Sequence, residues 1–358
     1  MRYSLSIGKI AGITVNLHWT FLILVAWIMM GTLQVGADWG GALWSLLFLA
    51  SIFFCITLHE VGHALMARRF GIATRDITLL PIGGLARMEA LPEKPKEELL
   101  IALAGPSVNL VIALILWPIV QTVDTDLTLS HIGAANFAPA LFGVNVWLAL
   151  FNLIPAFPMD GGRVFRALLA FRTGYVRATR TAAALGQVLA MVFVFAGFAV
   201  NPFLIFIGLF IFLGAQAEAG IVETRFALRD HTVKDVLMHE VPTIDDTASM
   251  RDAACRLLNS QNKNFLVLRE GTPVGIITRQ DIITTLRTHG DQALVRDAID
   301  TKLEYLNSGM PLDKAWSKMQ SAHKPMMLVM DDGQIKGAVD EESIEELILI
   351  HTARAQHN

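Results

Sequence analysis

Trp39 to Leu58, WGGALWSLLFLASIFFCITL, carries no charge and runs without a break into His59-Glu60-Val61-Gly62-His63. A helix needs about 20 mostly apolar residues to cross a bilayer core. On such a helix positions i and i+4 share a face, so both imidazoles reach one metal ion and the carboxylate between them faces a water held there. Ionisable side chains inside a span are costly and point to chemistry before packing. The competing reading is a helix end that turns polar, as Arg68 and Arg69 do shortly afterwards.

Outward from this stretch the chain divides between two solvents. Charged residues number 24 in 1–220 and 37 in the shorter 221–358, which implies a bilayer for the first part and water for the second. With the quoted run taken as about 40–66, five more apolar runs are candidate spans: about 17–36, 99–121, 138–157, 178–200 and 202–220. The expected fold is a polytopic α-helical membrane protein of six transmembrane helices followed by a soluble α/β part. Arg2, Lys9, Arg68, Arg69, Lys94, Lys96, Arg163, Arg166, Arg172, Arg177 and Arg180 all fall in loops on one side. The positive-inside rule makes that side cytoplasmic, and an even number of spans puts the N-terminus and the polar C-terminal part there too. Val35-Gly36-Ala37 has the small residues of a signal cleavage site, but the preceding apolar run is longer than a signal core, so the first span is read as retained. A net charge of −3 gives no reason to invoke nucleic acid. Two cysteines, Cys55 and Cys255, exclude a disulfide framework and a cysteine zinc cage.

A catalytic zinc site keeps three protein ligands. The third candidate is Asp160, in Asn152-Leu153-Ile154-Pro155-Ala156-Phe157-Pro158-Met159-Asp160-Gly161-Gly162. It ends the fourth span in the leaflet where the second span carries its histidines, whereas Asp124, Asp126 and His131 lie in an outer loop. His18 is the fallback. Read alone, Asp160 is equally a turn residue or a helix cap. Between these elements, Ile77 to Leu80 and Leu85 to Glu89 read as two strands around a Pro81-Ile82-Gly83-Gly84 turn. The hairpin lies either in the cytoplasm or in the membrane with its backbone shielded.

HEVGH in one span with NLIPAFPMDGG in a later one resembles the site-2 protease family of intramembrane zinc metalloproteases. Ala104-Gly105-Pro106-Ser107-Val108-Asn109 is similar to that family's glycine-proline-x-x-asparagine segment, and Pro81 to Met88 to its membrane-entering hairpin. Leu17-His18-Trp19-Thr20 is typical of a six-span branch, and Met159 stands where leucine is usual. The resemblance covers roughly residues 1–220. It implies that His59, His63 and Asp160 bind Zn2+, that Glu60 is the general base and later proton donor, and that Asn152 holds the substrate backbone or the oxyanion. Asn109, Gly83 and Gly84 are implied to contact substrate, which would be a transmembrane protein.

The polar part repeats itself at an offset of 62 residues: Val233-Lys234-Asp235 matches Val295-Arg296-Asp297, Phe265 to Leu268 matches Met327 to Met330, and Gly275 matches Gly337. The expected boundaries are 1–222, 223–290 and 291–358. The repeat resembles a tandem CBS (Bateman) module. Gly275, Thr278 and Asp281 then fall on that family's ribose-and-phosphate segment, which implies an adenine nucleotide (AMP, ADP or ATP), with dimerisation through the module as the structural alternative. The second copy has Asp340 where the phosphate contact belongs, and its charge opposes an anion. A divalent-metal transporter with a CBS regulator is the alternative function, because the same trio could serve as a transit site.

Overall fold

The computed structural model describes residues 4–34, 38–81, 83–88, 92, 94–122, 132–260 and 262–356. The cleavage-site reading at Val35-Gly36-Ala37, Arg2, the outer-loop residues Asp124, Asp126 and His131, and Ile82 and Glu89 of the expected hairpin lie outside these residues. Two compact units divide between Gly220 and Ile221.

The first unit holds strands β1 (Ser4–Ile10), β2 (Ile13–His18), β3 (Thr74–Leu80) and β4 (Gly83–Met88) and helices α1 (Phe21–Gln34), α2 (Trp39–Arg69), α3 (Pro95–Val120), α4 (Phe137–Asn152), α5 (Asp160–Thr173), α6 (Tyr175–Ala199) and α7 (Phe203–Leu228), the last running past the division. Among the described residues, α2, α3, α6 and α7 are long and apolar enough to cross a membrane. Of the six expected spans, four correspond to these helices and two to the shorter apolar helices α1 and α4 among the described residues. At about 1.5 Å per residue, 14 or 16 residues fall short of a hydrocarbon core of roughly 30 Å. The first run is shortened because residues through His18 pair as strand. The fourth stops at Asn152, before Pro155.

The four strands form one sheet in the order β1-β2-β3-β4, with β2 and β3 parallel and the outer pairs antiparallel. Strands β1 and β2 are additions to the sequence reading. Their link is Ala11-Gly12, both with positive φ, between the paired Ile10 and Ile13. Two positive-φ residues make the tight turn whose twist suits a hairpin. One face of the sheet packs on α2, where Ile13, Val15, Ile77 and Leu79 meet Leu49, Phe53, Val61 and Ala64. Strand β4 is left at an edge.

The second unit repeats at the offset read from the sequence. Strand β5 (Thr243–Asp245), α8 (Met250–Asn259), β6 (Asn264–Arg269), β7 (Thr272–Thr278) and α9 (Arg279–His289) are followed by β8 (Tyr305–Leu306), α10 (Leu312–Ala322), β9 (Met326–Asp331), β10 (Gln334–Asp340) and α11 (Glu341–Gln356). Every element of the second set starts 62 residues after its counterpart. Each set makes a three-stranded sheet, β5-β6-β7 and β10-β9-β8. The two sets exchange backbone bridges, Met238 with Ala338 and Asp300 with Ile276, and these are also related by the repeat. Leu266, Ile276, Met326, Leu328 and Ala338 form a buried cluster drawn from both copies.

Candidate metal centre

The site starts on α2. Its N-cap is Asp38, whose carboxylate accepts from Gly41 N at 2.8 Å, and thereafter one apolar face packs inward. His59 and His63 lie on that buried face, each only 6 % exposed, as their spacing requires. Gly62 lets α3 come close, since a Cβ there would stand 2.8 Å from Val108 Cγ2 and 3.0 Å from the Ala104 carbonyl. Gly105 of α3 faces the rings directly: a Cβ would lie 2.7 Å from His59 Nε2 and closer still to His63.

Asp160 arrives from another direction. Proline cannot donate, and α4 gives way to turns between Leu153 and Met159 before α5 begins at Asp160. Gly161 and Gly162 allow this reversal, because a side chain on either would strike the backbone of Leu153 to Phe157. Asp160 thus sits at a helix N-terminus, where backbone N–H groups favour a carboxylate.

Asp160 Oδ2 is 3.1 Å from His59 Nε2 and 3.1 Å from His63 Nε2, and the two Nε2 atoms are 3.1 Å apart. The far side of each ring is committed. His63 Nδ1 is 2.7 Å from the Ile101 carbonyl, and His59 Nδ1 is 2.5 Å from Asn109 Oδ1. Both partners accept, so both Nδ1 atoms carry the proton and both Nε2 atoms of the neutral rings present lone pairs. With both rings neutral, two imidazole lone pairs and the Asp160 carboxylate converge on one point. That arrangement calls for a cation. Tetrahedral zinc, about 2.0–2.1 Å from such donors, would separate them by roughly 3.3 Å, close to the observed triangle. Among the described residues this is the one cluster of three metal-ligating groups.

The amide of Asn109 is oriented from behind. Its Nδ2 donates to Asn145 Oδ1 at 3.0 Å, and Asn145 Nδ2 donates to the Leu141 carbonyl at 2.9 Å. Both asparagines are fully buried. Asn109, which the resemblance implies to contact substrate, bonds His59 and Asn145 through its side chain. Asn145 escaped the sequence reading altogether. A lone amide within the apolar run Phe137 to Phe151 was the available signal.

The remaining expected residues fall as follows. Glu60 follows His59 on α2 and is half-buried, and Gly84 of β4 packs against it: a Cβ there would lie 2.7 Å from Glu60 Cγ. Gly83 opens the same strand and pairs with Leu80. Asn152 ends α4 half-buried, with Nδ2 donating to the Leu148 carbonyl at 3.0 Å. His18, the fallback ligand, ends β2 with Nδ1 2.7 Å from Thr20 Oγ1 and is absent from the trio. In the second unit, Thr278 and Asp281 bond each other: Thr278 caps α9, accepting from Asp281 N at 3.2 Å, while Asp281 Oδ2 accepts from Thr278 N at 2.9 Å. Gly275 lies under the Asp300 carbonyl, 2.8 Å from where a Cβ would be.

Comparison with known proteins identifies the family of the chain. The model of Peptidase family M50 matches residues 47–196, and that of the CBS domain matches 233–288. Zinc metalloprotease MJ0392 of Methanocaldococcus jannaschii is 31% identical over 348 residues, covering 96% of each chain. Rip3 of Mycobacterium tuberculosis is 29% identical over 381 residues, covering 98% of this chain and 94% of that one. The solved site-2 protease from Methanocaldococcus jannaschii is 36% identical, covers 61% of this chain and 95% of its own, and superposes with a TM-score of 0.46. This chain belongs to peptidase family M50, the site-2 protease family of zinc metalloproteases, and carries a CBS module after its membrane helices.

Proposed function

We propose that this protein is an intramembrane endopeptidase that hydrolyses a peptide bond within or beside the transmembrane segment of another membrane protein. The observation that carries the reading is the convergence of His59, His63 and Asp160 in a unit with four helices of spanning length, with Glu60 next along the same helix. His59, His63 and Asp160 hold the ion. Zinc, when bound, supplies Lewis acidity for water and for a scissile carbonyl. The other tasks fall to the chain. Glu60 takes a proton from water as the water oxygen bonds to the carbonyl carbon, then gives it to the nitrogen as the C–N bond breaks. Asn152 retains an amide hydrogen beyond its bond to Leu148 and steadies the developing oxyanion. Asn109 and Ile101 keep the imidazoles in the metal-binding tautomer.

The substrate enters extended, because a helical amide is shielded by its own hydrogen bonds. The edge of β4, which opens at Gly83 and has Gly84 beside Glu60, is suited to take it as a further strand. The hairpin would then work at the membrane. The basic loops support a cytoplasmic location for the N-terminus, the site and the module. We also assign the module a regulatory role through adenine nucleotide at Gly275, Thr278 and Asp281, on the strength of the motif. Its check is a thermal shift with AMP, ADP and ATP, lost in Thr278→Ala.

Zinc per chain, measured by elemental mass spectrometry on detergent-purified protein, tests the centre. One zinc in wild type and in Glu60→Gln, lost in His63→Ala and Asp160→Ala, is expected, together with no cleavage of a single-span reporter by Glu60→Gln. Zinc retained in Asp160→Ala would return His18 to the ligand set. A metal carrier would instead move zinc across proteoliposomes irrespective of Glu60, and the family placement favours the peptidase.

A further inference from the structure

Among the described residues Arg166 is the largest fully buried side chain, 1 % exposed on α5. An arginine is never left buried without partners, because its charge cannot be discharged by losing a proton. Its Nε donates to Glu98 Oε1 of α3 at 2.8 Å, Nη2 also donates to Glu98, and Nη2 lies 3.0 Å from Glu218 Oε1 of α7. The guanidinium carbon lies over two rings, 4.9 Å from the centroid of Phe157 and 4.9 Å from that of Tyr175. Tyr175 OH closes the group at 3.4 Å from Glu98 Oε1.

Two of these contacts bracket the acidic ligand of the metal trio. Phe157 lies three residues before Asp160, and Arg166 six residues after it, so the segment between them is stapled across its own turn. Phe157 is fully buried and could be held by apolar packing alone, yet it presents its face to a cation. That contact adds direction, since a ring face prefers the guanidinium plane stacked on it. The contacts thus run without a break from the two carboxylates through the guanidinium to the Phe157 ring, three residues from Asp160.

We propose that Arg166 is a positioning residue for the metal centre: clamped by Glu98 and Glu218, it sets through Phe157 the depth at which Asp160 meets the two imidazoles. The inference rests on the reading of His59, His63 and Asp160 as zinc ligands. Arg166 itself touches neither substrate nor metal. Lysine in its place would keep the charge and the ion pairs but lose the stacked plane. Phe157→Leu removes the other half of the stack and keeps an apolar side chain of similar bulk.

The test uses the full-length protein in detergent and follows zinc release to excess EDTA, together with the visible band of the Co2+-substituted protein. His63→Ala is the control for the site, and Ile13→Ala, a core truncation in β2, is the control for simple destabilisation. Zinc release at least tenfold faster in Arg166→Lys and in Phe157→Leu, with a shifted Co2+ band, no further loss in the double variant, and release unchanged in Ile13→Ala, is the expected result. Release and Co2+ band at wild-type values in folded Arg166→Lys and Phe157→Leu would overturn the proposal while leaving the ligand assignment intact. Additive effects of the two would overturn it as well, since independent contributions are not a relay. Zinc that survives His63→Ala would overturn the ligand assignment first, and this proposal with it.

Discussion

Asn145 donates nothing to His59, His63 or Asp160, yet it accepts the Nδ2 hydrogen of Asn109 at 3.0 Å and so determines which end of that amide faces His59. Reversing the amide would point N–H at N–H and remove the acceptor that fixes the tautomer. Partners of this kind are worth about 10- to 100-fold in metal affinity. Asn109→Ala is therefore expected to weaken zinc by that factor, and Asn145→Ala to weaken it in the same direction by less. The double variant should be no worse than Asn109→Ala. Competition against a chromophoric chelator measures all three.

Gly105→Ala is expected to abolish zinc binding. The added methyl would occupy the space of the His63 ring and lie 2.7 Å from His59 Nε2. Overpacking alone costs about 1–3 kcal/mol. The telling result is thus a protein that still elutes as a single species but carries no metal. A zinc-replete Gly105→Ala would show that α3 can retreat from α2.

Acid should weaken the C-terminal unit at one identifiable contact. Lys324, buried before β9, donates to Asp300 and holds its carboxyl below the ordinary carboxylate value. A carboxyl depressed in the folded state adds stability that is complete above its unfolded pKa of about 3.9 and is lost as pH falls through the lower folded value. Asp300 is half-exposed, so solvent screening keeps the effect small. Hydrogen exchange of the Asp300 amide, bonded to the Ile276 carbonyl at 2.9 Å, should accelerate below about pH 4 relative to amides elsewhere in the unit, after correction for intrinsic rates. Asp300→Asn should flatten that dependence.

Sidedness has a simple reporter in the native cysteines. Cys255 is exposed on α8, whereas Cys55 is buried on α2. A membrane-impermeant maleimide is expected to leave intact cells unlabelled and to label Cys255 after permeabilisation. Labelling of intact cells would place the module outside and reverse the orientation drawn from the basic loops.

What could be read in advance depended on whether the information was local. His59 and His63 are four residues apart, and the helical period alone brings them together. The offset of 62 needed only comparison of the chain with itself, and it located every element of the second copy. Asp160 is reachable from the sequence because the expected topology puts the ends of both elements in one leaflet. The Arg166 staple was not, since Glu98, Arg166 and Glu218 lie on three helices and nothing local pairs them. Strand β1 is hard to read because alternation over Ser4 to Gly8 stops at Lys9, and its pairing is declared only by the Ala11-Gly12 turn. Thr278 and Asp281 show the converse limit. Their motif points to a nucleotide, and their geometry is already accounted for by a helix cap.

The exchanged bridges between the two copies also set a clock. Met238 is made 100 residues before Ala338, the residue that completes its pairing. At about 5–20 residues per second, a ribosome needs roughly 5–20 s to cover that distance. A single helix forms in about a microsecond and a hairpin in microseconds, so the first copy has its own elements long before its partner strand exists. For those seconds the nascent module presents the unmatched groups of Met238, and from Ile276 onward also the apolar face of Leu266 and Ile276, which Met326, Leu328 and Ala338 later cover. Translation speed between the two copies thus becomes a determinant of how much chain reaches its finished state.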